Sequence, residues 1–181
     1  ETASVFSEML TFHTILDAGT SQQSKRLMLA DKIEDMLNTV VRQVAFHNFE
    51  YLVHTHRRQG ELSSNEISKF WVETQKQALG PGIRIDDSFK PIWAYVTHFV
   101  HSPFYVYAYA FGDCLVNALW QVYQDGSDAD FNIHYKTLLR SGGTVRFDQA
   151  LIPFSLNPSE PEFWNKGLDM ISTMIDQLEG L

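Results

Sequence analysis

The sequence predicts an all-α fold, and three observations lead to that prediction. Apolar residues recur at helical spacing along nearly the whole chain of 181 residues. No segment sustains the alternation of apolar and polar residues that a half-buried strand needs. Glycine and proline lie between the periodic segments, as at Gly60 and Gly80-Pro81-Gly82. We therefore expect residues 1–181 to form a single helical region, organised as a bundle.

Seven segments have this helical periodicity, and turn-forming residues separate them. They are residues 1–18, 24–58, 63–79, 103–124, 127–140, 147–154 and 161–178. Ser63 and Glu66 have the spacing of a capping box, which marks the start of a helix. Ser159 and Glu162 repeat that spacing before the last segment. Residues 83–101 have no clear pattern and are predicted to be the least regular part of the chain.

The charge and the composition narrow the range of partners. The chain carries 22 acidic and 14 basic residues, a net charge of −8, and no basic cluster beyond Arg57-Arg58. This balance argues against nucleic acid and anionic membranes as partners. No apolar run reaches the length of a membrane span, and residues 1–20 lack the features of a signal peptide. Because Cys114 is the only cysteine, no internal disulfide is possible, and we expect a cytoplasmic protein.

The segment 98–112 is the most informative for function, because two histidines precede three tyrosines there. Ser102 and Pro103 are of the types preferred at the N-cap and the first helical position. A helix that starts there places Tyr105 and Tyr109 four positions apart on one face. Phenol and imidazole groups donate hydrogen bonds, so their convergence suits an oxyanion that forms during a reaction. An aromatic core helix whose hydroxyls have partners explains the same spacing.

Glu1, Ser4 and Glu8 are spaced i, i+3 and i+7, so they share one face of the first predicted helix. Two carboxylates at this spacing could be a metal ligand and its support. A solvated polar stripe has the same pattern. The spacing leaves both interpretations open.

His47, Glu50 and His54 repeat this spacing on the second predicted helix. Imidazole and carboxylate groups suit zinc or iron. However, helical bundles with two carboxylate-bridged irons use paired Glu-x-x-His motifs, and this chain contains none. We therefore interpret the three residues as hydrogen-bonded structure. Cys114 lies in an apolar helical segment, where thiols are usually inert.

The stretch Glu1-Thr-Ala-Ser-Val-Phe-Ser-Glu8, together with the segment 98–112, resembles the oligoendopeptidase F branch of the thimet-type zinc metallopeptidases. The similarity continues through residues 42–54, 138–143 and 163–179. In that family, a His-Glu-x-x-His helix supplies two zinc ligands and the general base. A later helix with the pattern Glu-x-Ala-Ser-x-Phe-x-Glu supplies the third ligand.

The resemblance implies a role for each matching residue. Glu1 corresponds to the third zinc ligand, and Glu8 to the glutamate that supports a histidine ligand. The remaining matches are groups that bind the scissile carbonyl and the tetrahedral intermediate: His98, Tyr105 and Tyr109. His101 matches no role in the family.

The resemblance also implies that this chain is the C-terminal part of a longer peptidase. No His-Glu-x-x-His occurs in it, so we expect that helix to lie upstream. The implied function is zinc-dependent hydrolysis of internal peptide bonds in oligopeptides, with the N-terminal portion of the same protein as a partner. A catalytic zinc needs three protein ligands, so we expect the chain alone to be inactive and not to retain zinc.

Two further expectations concern association and the alternative function. Removing an upstream helix would uncover apolar and aromatic surface, so we expect a homodimer through the first helix or the Tyr105/Tyr109 face, with two-fold symmetry the commonest arrangement. The alternative to a peptidase is a non-catalytic helical module for binding or scaffolding.

Overall fold

The structure is a computed structural model that describes residues 2–18 and 21–181. Every regular element in these residues is helical and none is a strand, which confirms the all-α prediction. None of the helices described is both long enough and apolar enough to cross a membrane. Glu1, the predicted metal ligand, lies outside the described residues.

The described part of the chain forms nine α-helices. They are α1 (Thr2–Asp17), α2 (Gln22–Leu37), α3 (Gln43–Arg57), α4 (Ser64–Leu79), α5 (His98–His101), α6 (Tyr107–Asp125), α7 (Phe131–Ser141), α8 (Phe147–Ala150) and α9 (Pro161–Glu179). A π-helical turn at Asn38–Arg42 interrupts the segment predicted as one helix over residues 24–58. A π-helical turn holds more residues than an α-helical turn, and here it contains the buried Val40. Two 3₁₀ helices cover Asp87–Tyr95 and Ile152–Phe154.

One of the two predicted capping boxes is present. The Ser63 N–H donates to Glu66 Oε2 at 2.8 Å, and the Glu66 N–H donates to the Ser63 hydroxyl at 3.3 Å. The box predicted at Ser159 is wrong, because Glu160 is the N-cap of α9 and makes no side-chain cap bond. Pro161 disfavours a helical backbone at the residue before it, so the helix cannot include Glu160.

One compact unit consists of the described residues up to Asp35 together with Gly112–Leu181. The buried ring of Phe6 lies in its core, 5.8 Å from the ring of Trp120 and 5.7 Å from that of Phe131. Helices α6 and α9 approach closely at Gly167, where an added Cβ would lie 3.0 Å from Cys114 Cα. The backbones come this near because Gly167 has no side chain.

The second compact unit is Met36–Phe111. Helices α3 and α4 pack together in it, around a core of Phe46, Phe49, Trp71 and Val106. The Trp71 indole N–H donates to the Phe89 carbonyl at 3.0 Å, which connects the core to the first 3₁₀ helix. This unit contains the histidine and the tyrosines that the sequence singles out.

Replacing Gly167 by alanine is expected to lower the free energy of unfolding by about 1–3 kcal/mol, because the new methyl group would press on the α6 backbone. The control is Gly112→Ala. A Cβ at Gly112 meets nothing within 4 Å, so that variant is expected to gain up to about 1 kcal/mol from helix propensity. Urea unfolding followed by circular dichroism measures both effects. Equal stability of the two variants would contradict the close approach at Gly167.

Candidate functional site

Three side chains predicted to act together do meet in the Met36–Phe111 unit. His98 Nε2 lies 3.1 Å from the Tyr109 hydroxyl oxygen, within hydrogen-bonding distance. The ring centres of Tyr105 and Tyr109 are 5.4 Å apart, and the His98 ring stacks with that of Tyr105 at 6.4 Å. The structure therefore brings one imidazole and two phenols to a single place.

The exposure of this cluster suits contact with a bound molecule. Tyr105 is 49% exposed, while His98 and Tyr109 are partly buried. With the proton on Nε2, His98 donates and the Tyr109 oxygen accepts; in the other tautomer, Tyr109 donates. In either case the contact restricts the direction of the Tyr109 hydroxyl. The cluster thus combines an accessible phenol with one whose orientation is fixed.

The predicted helix start at Ser102 is wrong, because α6 begins at Tyr107. The Tyr105 N–H donates to the Ser102 carbonyl at 3.2 Å, and Phe104 has a positive φ of 60°. Proline followed by a residue with positive φ is the pattern of a type II turn. A right-handed helix cannot pass through that conformation. Tyr105 therefore lies in a turn, and Tyr105 and Tyr109 meet without sharing a helical face.

A buried carboxyl group contacts this turn. The Phe104 N–H donates to Glu50 Oε1 at 2.9 Å, and Glu50 is only 1% exposed. The Phe104 ring also contacts the ring of His54, with 4.6 Å between centres. The interpretation of His47, Glu50 and His54 as hydrogen-bonded structure is confirmed for Glu50. Sequence spacing alone did not indicate which loop Glu50 would contact.

Glu8 contacts a residue that the sequence analysis did not identify. Its Oε1 lies 2.6 Å from the ammonium of Lys32, which is only 8% exposed. Lys32 lies on α2 between the buried residues Leu29 and Met36, at the spacing of an apolar face. A lysine in such a face is a signal of a buried ion pair, since lysine is almost never fully buried without a partner. The sequence therefore contained a signal for Lys32.

The carboxyl group of Asp113 also interacts with the charge of Lys32. Burial raises the pKa of its carboxyl, and Lys32 opposes this rise. The Asn117 side-chain amide also stabilises the charged form, since it donates to Asp113 Oδ2 at 3.0 Å. The neighbouring Cys114 is buried as well, and this burial, with a smaller contribution from Asp113, raises the pKa of its thiol to about 11. The thiol thus stays protonated at neutral pH, as expected for an inert cysteine.

The residues present do not by themselves fit a zinc site. Within residues 2–18 and 21–181, no cluster of three or more histidine, cysteine, aspartate or glutamate side chains could hold a metal ion. Glu1 is outside these ranges, and Glu8 already pairs with the cation of Lys32. A catalytic zinc is held by three protein ligands. The described residues alone therefore cannot form a catalytic zinc centre.

Comparison with known proteins gives one consistent result. Residues 1–170 match the family described as Peptidase family M3. The chain is 27% identical over its full length to Oligopeptidase PepF of Bacillus subtilis (strain 168), and it covers 27% of that protein. It is 28% identical over 80% of its length to an Oligoendopeptidase F homolog of Borreliella burgdorferi, and it covers 24% of that protein. The crystal structure of oligoendopeptidase-F from Enterococcus faecium matches 99% of the chain with a TM-score of 0.89 at 20% identity, and the chain covers 34% of it.

Replacing Lys32 by methionine is expected to lower the free energy of unfolding at neutral pH by an amount on the order of 1 kcal/mol. Without the ammonium, the pKa of Asp113 rises further, so its ionisation costs more in the folded state. Protonation of Asp113 removes that cost. The loss should therefore shrink as the pH falls through the raised pKa of Asp113. Urea unfolding of both proteins over a series of pH values measures this loss in the free energy of unfolding.

The control for this experiment is Lys90→Met, which removes an exposed ion pair with Asp87. Such pairs contribute little, so its stability should stay near that of the unmodified protein at every pH. A loss for Lys32→Met that does not vary with pH would contradict the coupling to Asp113.

Proposed function

The chain belongs to peptidase family M3, and on this basis we propose that it is the C-terminal part of an oligoendopeptidase F-like zinc metalloendopeptidase. The enzyme would hydrolyse internal peptide bonds of oligopeptides. The His-Glu-x-x-His helix would lie in the upstream portion of a longer protein. The length of the relatives supports this, because the chain spans only 24–27% of the two proteins compared above. The observation that carries the proposal is the meeting of His98, Tyr105 and Tyr109 in one partly exposed cluster.

In this proposal, the cluster binds the oxygen of the scissile carbonyl. Attack on a peptide bond gives a tetrahedral intermediate, and its oxygen carries negative charge. Tyr105 and Tyr109 donate hydrogen bonds to that oxygen, and His98 holds the Tyr109 hydroxyl in position through the 3.1 Å contact. One donor of this kind lowers the barrier by about 3 kcal/mol. Because these donors contact the peptide backbone, they contribute to turnover with little dependence on the side chains of the substrate.

We also propose roles for the two glutamates of the first segment. Glu1 would be the third zinc ligand, as the resemblance implies. Glu8 would accept a hydrogen bond from a histidine ligand. Lys32 contacts Oε1 of Glu8, so Oε2 can accept that bond while the ion pair is kept. Lys32 would then fix the direction of the Glu8 carboxylate.

The proposal extends to location and association. We place the protein in the cytoplasm. When the upstream portion is absent, we also expect two copies of this chain to associate through the first helix or through the surface that carries Tyr105 and Tyr109. The exposure of Tyr105 and Tyr107, which are 49% and 54% exposed, supports the tyrosine surface. A two-fold contact would cover the same patch on both copies.

Tyr109→Phe in the longer protein that contains this chain is expected to reduce kcat by a factor on the order of 100, with little change in KM. The removed hydroxyl acts mainly in the transition state. Steady-state kinetics on an internally quenched peptide measures both constants. Tyr107→Phe is the matched control, since Tyr107 faces the ring of His47 and should keep normal kcat. An unchanged kcat in Tyr109→Phe would favour the alternative, a non-catalytic helical module.

The 181-residue chain by itself is expected to hydrolyse no peptide and to retain no stoichiometric zinc. The reason is that Glu1 and Glu8 together offer too few ligands for a catalytic zinc. Metal analysis after dialysis, together with a peptidase assay, tests both parts. About one tightly held zinc per chain would refute this expectation.

A further inference from the structure

We propose that Glu50 is a positioning residue for the reaction: it holds the turn at Phe104 in the conformation that presents Tyr105 to the substrate. The inference rests on the function proposed above, because it takes Tyr105 as a group that contacts the substrate. Glu50 itself touches no reacting atom in this proposal. Its effect passes through the backbone of Phe104 to the residue that follows.

The backbone of Phe104 has an unusual conformation. Its φ of 60° lies in the left-handed region, which is unfavourable for a residue with a side chain. Such a conformation persists only where the surroundings stabilise it. Here the Phe104 N–H donates to Glu50 Oε1 at 2.9 Å. Glu50 is 1% exposed on α3, so its acceptor oxygen is held in the core and cannot follow the turn if the turn changes conformation.

The conformation of this turn also determines the position of Tyr105. The backbone of Tyr105 is fixed on both sides, since its N–H donates to the Ser102 carbonyl at 3.2 Å and its own carbonyl accepts from the Ala108 N–H at 2.9 Å. Val106, which follows, is fully buried. The direction of the Tyr105 side chain therefore depends on the conformation at Phe104. A return of Phe104 to negative φ would turn the Tyr105 ring away from Tyr109.

The chemistry of Glu50 points to a specific requirement rather than general packing. Its second oxygen, Oε2, is buried and has no hydrogen-bond partner among the described residues. A buried polar atom without a partner costs free energy, so an apolar residue would suit the core better if packing were the only demand. What an apolar residue cannot supply is an acceptor for the Phe104 N–H. That acceptor is the feature that the turn requires.

The test uses the longer protein that contains this chain, with Glu50→Met as the main variant. Methionine keeps an unbranched side chain of similar length, so the core stays filled while the acceptor is lost. We expect kcat to fall at least tenfold with KM nearly unchanged. Glu50→Gln keeps an acceptor oxygen and should retain most of the activity. Adding Phe104→Gly to Glu50→Met should restore much of kcat, because glycine adopts positive φ without support.

Two measurements separate positioning from a general loss of structure. Gln75→Ala is the matched control, because Gln75 is also 1% exposed and lies on α4 of the same unit. It should lower stability and leave kcat unchanged. Amide hydrogen exchange at Phe104 should be slow in the unmodified protein and in Glu50→Gln, and faster in Glu50→Met.

Each remaining outcome has one meaning. Normal kcat in Glu50→Met, or no recovery after Phe104→Gly is added, would overturn the positioning role in an active enzyme. Slow exchange at Phe104 in Glu50→Met would show that Glu50 does not hold the turn, and would overturn the inference whatever the activity. An unmodified protein that hydrolyses no peptide would instead overturn the proposed function, and the catalytic part of this inference with it.

Discussion

The hydrogen bond from the Phe104 N–H to Glu50 decides where helix α6 begins, and the arrangement of the candidate site depends on it. Pro103 suits the first position of a helix, so residues 103–106 could form the first turn of α6 if Phe104 had a negative φ. Because Phe104 has a positive φ, the chain after α5 forms a turn, and α6 begins only at Tyr107. As a result Tyr105 stands outside the helix, where its ring can face both His98 and Tyr109.

In the other compact unit, a buried charge determines the position of a second candidate residue, Glu8. A lysine that is 8% exposed needs a nearby anion, and Glu8 meets it at 2.6 Å. Asp113 gains from the same cation, because its buried carboxyl would otherwise be still harder to ionise. One ammonium therefore affects a carboxylate on α1 and another on α6. The contact thus fixes the Glu8 carboxylate against Lys32, although much of the Glu8 side chain remains exposed.

Much of the helical fold could be predicted from the sequence, because helical periodicity and capping are local properties. The all-α class and the capping box at Ser63 follow from residues within a few positions of each other. The predicted helix start at Ser102 is wrong because the deciding contact is not local. Serine before proline suits an N-cap, but proline also suits the second position of a type II turn, and the deciding contact comes from Glu50, 54 positions away in the chain. The convergence of His98 with the tyrosines survived this error, since both arrangements bring the residues together.

The close approach at Gly167 has a consequence for the chemistry of Cys114. Alkylating reagents react with the thiolate, and this thiol is both buried and held protonated by a pKa of about 11. Gly167 of α9 lies against the backbone and Cβ of Cys114, and Cys114 is only 3% exposed. Labelling of the folded protein must then wait until the packing around Cys114 opens. Since the chain has no other cysteine, the rate of labelling reports how often that opening occurs.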